Sequence, residues 1–288
     1  MAAQTWFITG ANRGIGLETA GAALAAGHRV VATSRNSPAT AAALGDGDAV
    51  LALDLDVTNP TQISAAVETA QERFGGIDVL VNNAGYGHLG LFEETTDADV
   101  RTQFETNVFG LMNVTRAVLP VMRAQRSGRV FNLSSVAGFA GFAIASLYCA
   151  SKFAVEGFSV ALAEEVRPFG IHVTVVAPGF VRTDFLDPSS YQLPDASLAD
   201  YADLDARLRA AYLPMNHLQP GDPVRLAHAL VQLAERDLPP ARWSAGSDAV
   251  EMVDARLAAL KAELDAGRSL SASVDGQWSE PAGLNRQA

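Results

Sequence analysis

The 288-residue chain carries a single cysteine, Cys149, and only two lysines, Lys152 and Lys261, among its 21 basic residues. One cysteine excludes an intrachain disulfide and any cysteine-based zinc cluster. The histidines, His28, His88, His172, His217 and His228, are scattered without metal-ligand spacing, so no metal is expected. Charged residues are scarce at 18%, and the net charge is −11. Nucleic acid and anionic membrane both call for a basic face, so neither is expected as a partner. No apolar run approaches the ~18 residues that cross a bilayer. The first strand is under way by about residue 5, which leaves no room for a secretory signal. A cytoplasmic location is the expectation. What is plentiful is apolar, 49% of the chain, enough for one large domain with a full core.

Apolar runs alternate with helical patterns, the signature of βαβ units around a parallel sheet. Strands are expected near residues 6–9, 29–33, 49–53, 78–82, 129–133 and 172–176, with a short last one at Arg242-Trp243. Helices are expected over about Gly14–Ala26, from Asn59-Pro60 to Phe74, and in one long run from Ala98 to Arg126. Others are expected over Ser146–Arg167, Ala202–Leu213, from Pro223 to Glu235 and over Ala249–Leu264. Residues 1–266 thus read as one α/β domain. After Pro178 the alternation breaks, and 184–220 read as an irregular lid. A tail at 267–288, rich in Ser, Gly, Gln and Asn, reads as mobile.

Three local patterns carry chemistry. Directly after the first strand, Thr9-Gly10-Ala11-Asn12-Arg13-Gly14-Ile15-Gly16 fits a tight strand-to-helix turn. There the helix N-terminus offers free N–H groups and a positive dipole end to a pyrophosphate. Second, Tyr148 and Lys152 lie four apart on a helix, hence on one face. A chain that otherwise writes positive charge as arginine keeps a compact ammonium here. At ~4 Å and an effective dielectric near 20 it would favour the phenolate by ~4 kcal/mol, drawing the phenol from ~10 towards neutrality. Third, the second strand ends in Ser34-Arg35, where NAD sites usually place an acid for the ribose 2′-hydroxyl. Arg35, with Arg13 in the glycine turn, suits a 2′-phosphate instead.

Together these features resemble the short-chain dehydrogenase/reductase family, whose glycine motif reads T-G-x-x-x-G-I-G. The match runs through Asp56-Val57, Asn82-Asn83-Ala84-Gly85, Asn107, Ser134-Ser135, Tyr148, Lys152, Pro178-Gly179 and Thr183. It covers about residues 4–185. The resemblance implies a Rossmann-type, doubly wound parallel sheet and hydride exchange between a nicotinamide cofactor, read here as NADP(H), and a small-molecule carbonyl or alcohol. It implies Tyr148 as proton donor, Lys152 as its electrostatic partner and ribose ligand, Ser135 as hydrogen-bond partner of the substrate oxygen, and Asn107 as anchor of a proton-relay water. Gly10, Asn12, Arg13, Gly14, Ile15, Gly16, Ser34, Arg35, Asp56, Val57, Asn83, Ala84, Gly85, Pro178, Gly179, Val181 and Thr183 would border the cofactor.

Phe139, Phe142, Ile144, Phe180 and Phe185 are the candidate walls of a hydrophobic substrate pocket. Cys149 beside the acid reads as a packing residue. The ending around Arg242–Ala249 resembles the steroid and retinol dehydrogenase branch, which leaves homodimer and homotetramer both open. The competing reading from another class, a catalytically silent NADPH-sensing regulator, would damage Ser135, Tyr148 or Lys152, and all three are intact. A sugar-nucleotide epimerase or a serine hydrolase fits the motifs less well.

Overall fold

β-Branched and aromatic runs form strands here, and alanine-rich stretches between them form helices. In the first 180 residues the alternation is broken only where strand Gly87–His88 follows strand Val79–Asn82 and helix Leu111–Gln125 follows helix Asp97–Phe104. The computed structural model describes residues 2–276 except 46, 188–189 and 195–196. In chain order the elements are β1 (Thr5–Thr9), α1 (Gly14–Ala25), β2 (Arg29–Ser34), α2 (Ser37–Leu44), β3 (Val50–Asp54), α3 (Pro60–Phe74), β4 (Val79–Asn82) and β5 (Gly87–His88). There follow α4 (Asp97–Phe104), α5 (Leu111–Gln125), β6 (Gly128–Leu133), α6 (Ser146–Val166), β7 (Ile171–Pro178) and β8 (Tyr191–Gln192). The chain continues with α7 (Ala202–Tyr212), α8 (Pro223–Ala234), β9 (Arg242–Ala245) and α9 (Ser247–Ala272).

Seven strands make one parallel sheet in the order β3-β2-β1-β4-β6-β7-β9. This is the expected Rossmann-type arrangement. The order reverses between β1 and β4, and the crevice beyond the carboxyl ends of those strands is where such sheets bind ligands. Successive side chains of β1 point to opposite faces. Trp6 and Ile8 join Ala20, Ala23, Leu226 and Leu230 of α1 and α8, whereas Phe7 joins Ile63, Val67, Val114 and Leu162 of α3, α5 and α6. Burial on both faces explains why the strands are continuously apolar rather than alternating. Helix α3 opens as its sequence prescribes, with Asn59 accepting from the N–H groups of Thr61 and Gln62 and Pro60 at the first position.

Four departures from the sequence reading matter. Helix α2, capped by Asn36 with Pro38 in its first turn, has no apolar periodicity to betray it. The expected single helix from Ala98 to Arg126 is broken by a π-helical turn over Glu105–Gly110, which turns Asn107 inward onto Tyr86. Such turns recur at functional sites. Within segment 184–220 the unexpected element is β8, which pairs with β5, whereas α7 falls where a helix was expected. Finally, α9 runs through Gly267 to Ala272, into the stretch expected to be mobile. The remainder of that tail, 277–288, lies outside the described residues.

Candidate active site

A cavity of about 880 Å³ opens at the carboxyl edge of the sheet, at the large end of the range for ligand pockets. One end is built from the turn after β1. Gly10 and Gly14 adopt positive φ (65° and 55°), which an L side chain rarely does. The N-cap of α1, Arg13, supplies no side-chain hydrogen bond to the helix start, so the first-turn N–H groups point to the cavity mouth. Thr9 and Asn83 lock the turn to β4. The Thr9 hydroxyl accepts from the N–H groups of Asn83 and Ala84, and the Asn83 amide donates to the carbonyls of Thr9 and Gly10. Asn12, Ile15, Arg35, Asp56, Val57, Ala84, Gly85, Pro178, Gly179, Val181 and Thr183 complete this end. The Asp56 carboxyl sits below its usual range although burial opposes it, held there by Thr58 and the nearby Arg35 guanidinium. This cradle of positive φ, open helix start and the guanidiniums of Arg13 and Arg35 fits a nicotinamide dinucleotide.

Two expected cofactor residues play other parts. Gly16 does not line the cavity; a Cβ there would lie 2.4 Å from the Gly10 carbonyl oxygen and 2.5 Å from Asn83 Nδ2. Its lack of side chain lets α1 seat against the turn. Ser34 borders the cavity, but its hydroxyl pairs with Thr40 Oγ1 at 2.8 Å and accepts from Asn36 N. That hydroxyl is engaged in shaping the β2–α2 corner.

At the other end, α6 carries Tyr148 and Lys152 on one face, and the strand end after β6 delivers Ser135. Lys152 Nζ donates to the Leu133 carbonyl at 2.6 Å and lies 5.6 Å from the centre of the Tyr148 ring. The expected descent of the phenol towards neutrality does not occur. Burial pushes Tyr148 up to about 12, against the lowering effect of its hydrogen bond from Ser135. Burial likewise pulls Lys152 down to about 8, partly opposed by Glu156. Desolvation therefore outweighs the Ser135 hydrogen bond on Tyr148 and the Glu156 charge on Lys152.

Asn107 is nearly fully buried and does not line the cavity. Its Oδ1 accepts from Tyr86 N, and its Nδ2 donates to the Tyr86 carbonyl and to Ser151 Oγ, which in turn donates to the Tyr148 carbonyl. The side chain thus braces the helix turn that carries the phenol. Phe142, Ile144, Phe180 and Phe185 line the cavity, with the Phe185 ring 5.4 Å from that of Tyr148. Phe139 does not, because the 3-10 turn over Val136–Gly138 carries the chain past the wall before reaching it. Cys149 is buried, accepts from Phe142 N and has its thiol pushed up by burial, as suits a packing residue.

Several contributors escaped the sequence reading. Leu89, Leu186, Tyr191 and Tyr212 line the apolar end. They converge because β5 and β8, a hundred residues apart in sequence, pair with each other, a contact that no local pattern encodes. Glu156, one turn beyond Lys152, is buried, and burial lifts its carboxyl; Ser134, Arg242 and Lys152 pull it back down. Arg242 Nε reaches it at 3.3 Å. The signal for Glu156 was a lone acid at the i+4 position from Lys152 on a buried helix face. Asp248, at the start of α9, accepts from Phe180 N at 2.7 Å and holds the loop after β7.

Residues 4–193 match the profile of the short chain dehydrogenase family. The 3-ketodihydrosphingosine reductase of Bacteroides thetaiotaomicron is 40% identical over 247 residues, spanning 85% of this chain and 89% of that protein. A short-chain dehydrogenase from Streptomyces avermitilis superposes with a TM-score of 0.86 at 39% identity, over 96% of this chain and 100% of the other. A 3-ketoacyl-(acyl-carrier-protein) reductase from Brucella melitensis, solved with NADH, superposes at 0.72 and 26% identity, over 85% and 97% of the two chains. The chain belongs to the short-chain dehydrogenase/reductase family. Its members are oxidoreductases that use nicotinamide cofactors, and this chain is one of them.

Proposed function

We propose that the enzyme is an NADP(H)-dependent reductase that interconverts a ketone and a secondary alcohol on a hydrophobic substrate. The observation that carries this reading is the polarity of one continuous cavity, with guanidiniums and open helix N–H groups at one end and Ser135, Tyr148 and Lys152 among apolar side chains at the other. When bound, the nicotinamide supplies or accepts the hydride. Ser135 holds the substrate oxygen by a hydrogen bond, and Tyr148 Oη gives that oxygen its proton as the alkoxide forms. A phenol pushed up to about 12 stays protonated at neutral pH, so its proton is in place for transfer to the substrate oxygen. Lys152, still charged at pH 7, stabilises the phenolate left behind and would hold the ribose hydroxyls of the cofactor. Asn107 and Ser151 fix the helix turn on which the phenol stands.

Cofactor preference follows from Arg35 and Arg13 at the place where an NAD site carries an acid. The apolar walls, and the 40%-identical relative named for reducing a ketone, support a ketone on an apolar frame. Segment 184–220 forms the cover of that end: β8 pairs with β5, the Glu94 carboxylate accepts from Leu198 N, and Tyr201 donates to Glu93. The decisive experiment assays a panel of apolar ketones and their alcohols with NADPH and NADH in parallel. NADPH-dependent turnover of an apolar ketone is the expected result. A preference for NADH, or turnover confined to small polar substrates, refutes the corresponding half of the reading.

A further inference from the structure

Helix α9 begins on the body of the protein and then leaves it. Ala249 is fully buried and Met252 and Val253 are half-buried, whereas Leu257 to Ala266 are all exposed. From Leu257 to Ala272 the helix projects for about 24 Å. A solitary helix of this length is marginal in water unless an apolar face is covered. Such a face is present. Val250, Val253, Leu257, Leu260 and Leu264 recur at alternating intervals of three and four, the a and d positions of a heptad repeat. Val250, Leu257, Leu260 and Leu264 are 55%, 56%, 43% and 56% exposed.

Within the single chain Arg256 contacts Glu263 and Lys261 contacts Asp265, and the signs of the charges beside the stripe are arranged to suit a second copy as well. Asp254 and Lys261 flank it at the e positions, and Arg256 and Glu263 at the g positions. We propose that α9 is a dimerisation arm, docking antiparallel on the α9 of a second copy of this chain. Leu257 packs against Leu260 of the partner subunit across a two-fold axis, and Val253 against the partner's Leu264. In this register Asp254 faces the partner's Lys261 and Arg256 faces the partner's Glu263, and the symmetry repeats each pair. Val250 meets the partner's Gly267, a large side chain against the smallest. A parallel pairing fails the same check, since it sets Arg256 against the partner's Lys261. Two self-complementary flanks are what an isologous interface requires. The stripe spans only two heptads, and the antiparallel sense extends the contact. It brings each arm's tip, where Leu270 is 77% exposed, to the root of the other arm beside the partner's body.

The test is sedimentation of the full chain at micromolar concentration. Replacing Leu257→Glu together with Leu260→Glu should halve the mass of the wild-type particle, with the near-ultraviolet spectrum of the domain unchanged because both side chains are exposed on the projecting part of the helix. Lys261→Asp should raise the dimer dissociation constant roughly several-fold, and adding Asp254→Lys should restore it. For the register, Leu257→Cys protein is mixed with Leu260→Cys protein under mild oxidation. Mixed disulfides are expected, whereas disulfides formed only between identical positions overturn the antiparallel arrangement. A wild type that sediments as a monomer, or a double-glutamate variant that keeps the wild-type mass, overturns the arm itself.

Discussion

The two ends of the cavity are built on different principles. The cofactor end is made of backbone: a turn with positive-φ glycines, an uncapped helix start and an asparagine amide whose hydrogens bind carbonyls of that turn. Its turn comes from the consecutive residues 9–16, and the shape of that turn is nearly forced once β1, α1 and β4 are placed. The substrate end is made of side chains delivered by separate segments: Leu89 after β5, Phe142 and Ile144 before α6, Phe185 and Leu186 after β7, and Tyr191 on β8. Nothing local forces that set. A backbone site resists change and serves a constant ligand; a side-chain site tolerates exchange and sets specificity. Even its strained member is local to the wall: Ile144, β-branched at φ 59°, offers its carbonyl to Gly90 N at 2.6 Å.

Substitutions at the two ends should therefore separate cleanly. The largest effect belongs to the reacting group itself. Tyr148→Phe should reduce kcat by at least ~10²-fold while leaving NADPH affinity, read by fluorescence titration, nearly unchanged. More than a tenth of wild-type turnover in that variant removes Tyr148 as the acid. At the cofactor end, Arg35→Ala should weaken NADPH binding by roughly 10- to 150-fold and NADH hardly at all, because one charge-assisted bond to a phosphate contributes ~1.5–3 kcal/mol. Equal losses for both cofactors would show that Arg35 does not read the 2′-phosphate.

At the substrate end, Phe185→Ala should lower kcat/KM for an apolar ketone by roughly tenfold without altering either cofactor constant. A change in NADPH affinity of similar size would erase the distinction between the two ends.

The subtlest effect concerns pH. Lys152, pulled down to about 8, is charged at pH 7 and loses its proton as pH rises, while Tyr148 at about 12 stays protonated throughout. In reduction, kcat/KM should then be level near neutrality and fall above an inflection near 8. Glu156→Gln removes a negative charge that favours the ammonium, so the inflection should move to lower pH. A profile identical to wild type would reduce Glu156 to a packing residue. Lys152→Arg should abolish the inflection along with most activity, since a planar fork does not replace a compact charge.

The asymmetry between the ends also sets how far the sequence could be read. The glycine turn and the Tyr148/Lys152 pair were legible because each depends on spacing within one turn or one helix. Gly16 was read as a ligand residue because spacing cannot distinguish a glycine that admits a cofactor from one that admits a neighbouring carbonyl. Asn107 was placed within an uninterrupted helix, and the π turn that points it at Tyr86 has no counterpart in hydrophobic period. Phe139 and Phe142 looked equivalent, since the loop between β6 and α6 has no period to assign them sides. The pKa of Tyr148 was misjudged because sequence names the charged neighbour, whereas burial, the larger influence, belongs to the folded molecule. Tyr191 was beyond reach, since it depends on a pairing between distant short strands.

Asp248 stands three residues past the last strand of the sheet, yet its carboxylate fixes Phe180 N and crowds Gly179, where a Cβ would lie 2.3 Å from either oxygen. A chain cut after β9 would keep every signature residue and every strand while releasing the clasp on the loop that borders the cofactor. The sheet that carries the signature and the residue that holds its loop in place thus end at different points in this sequence, a single turn of helix apart.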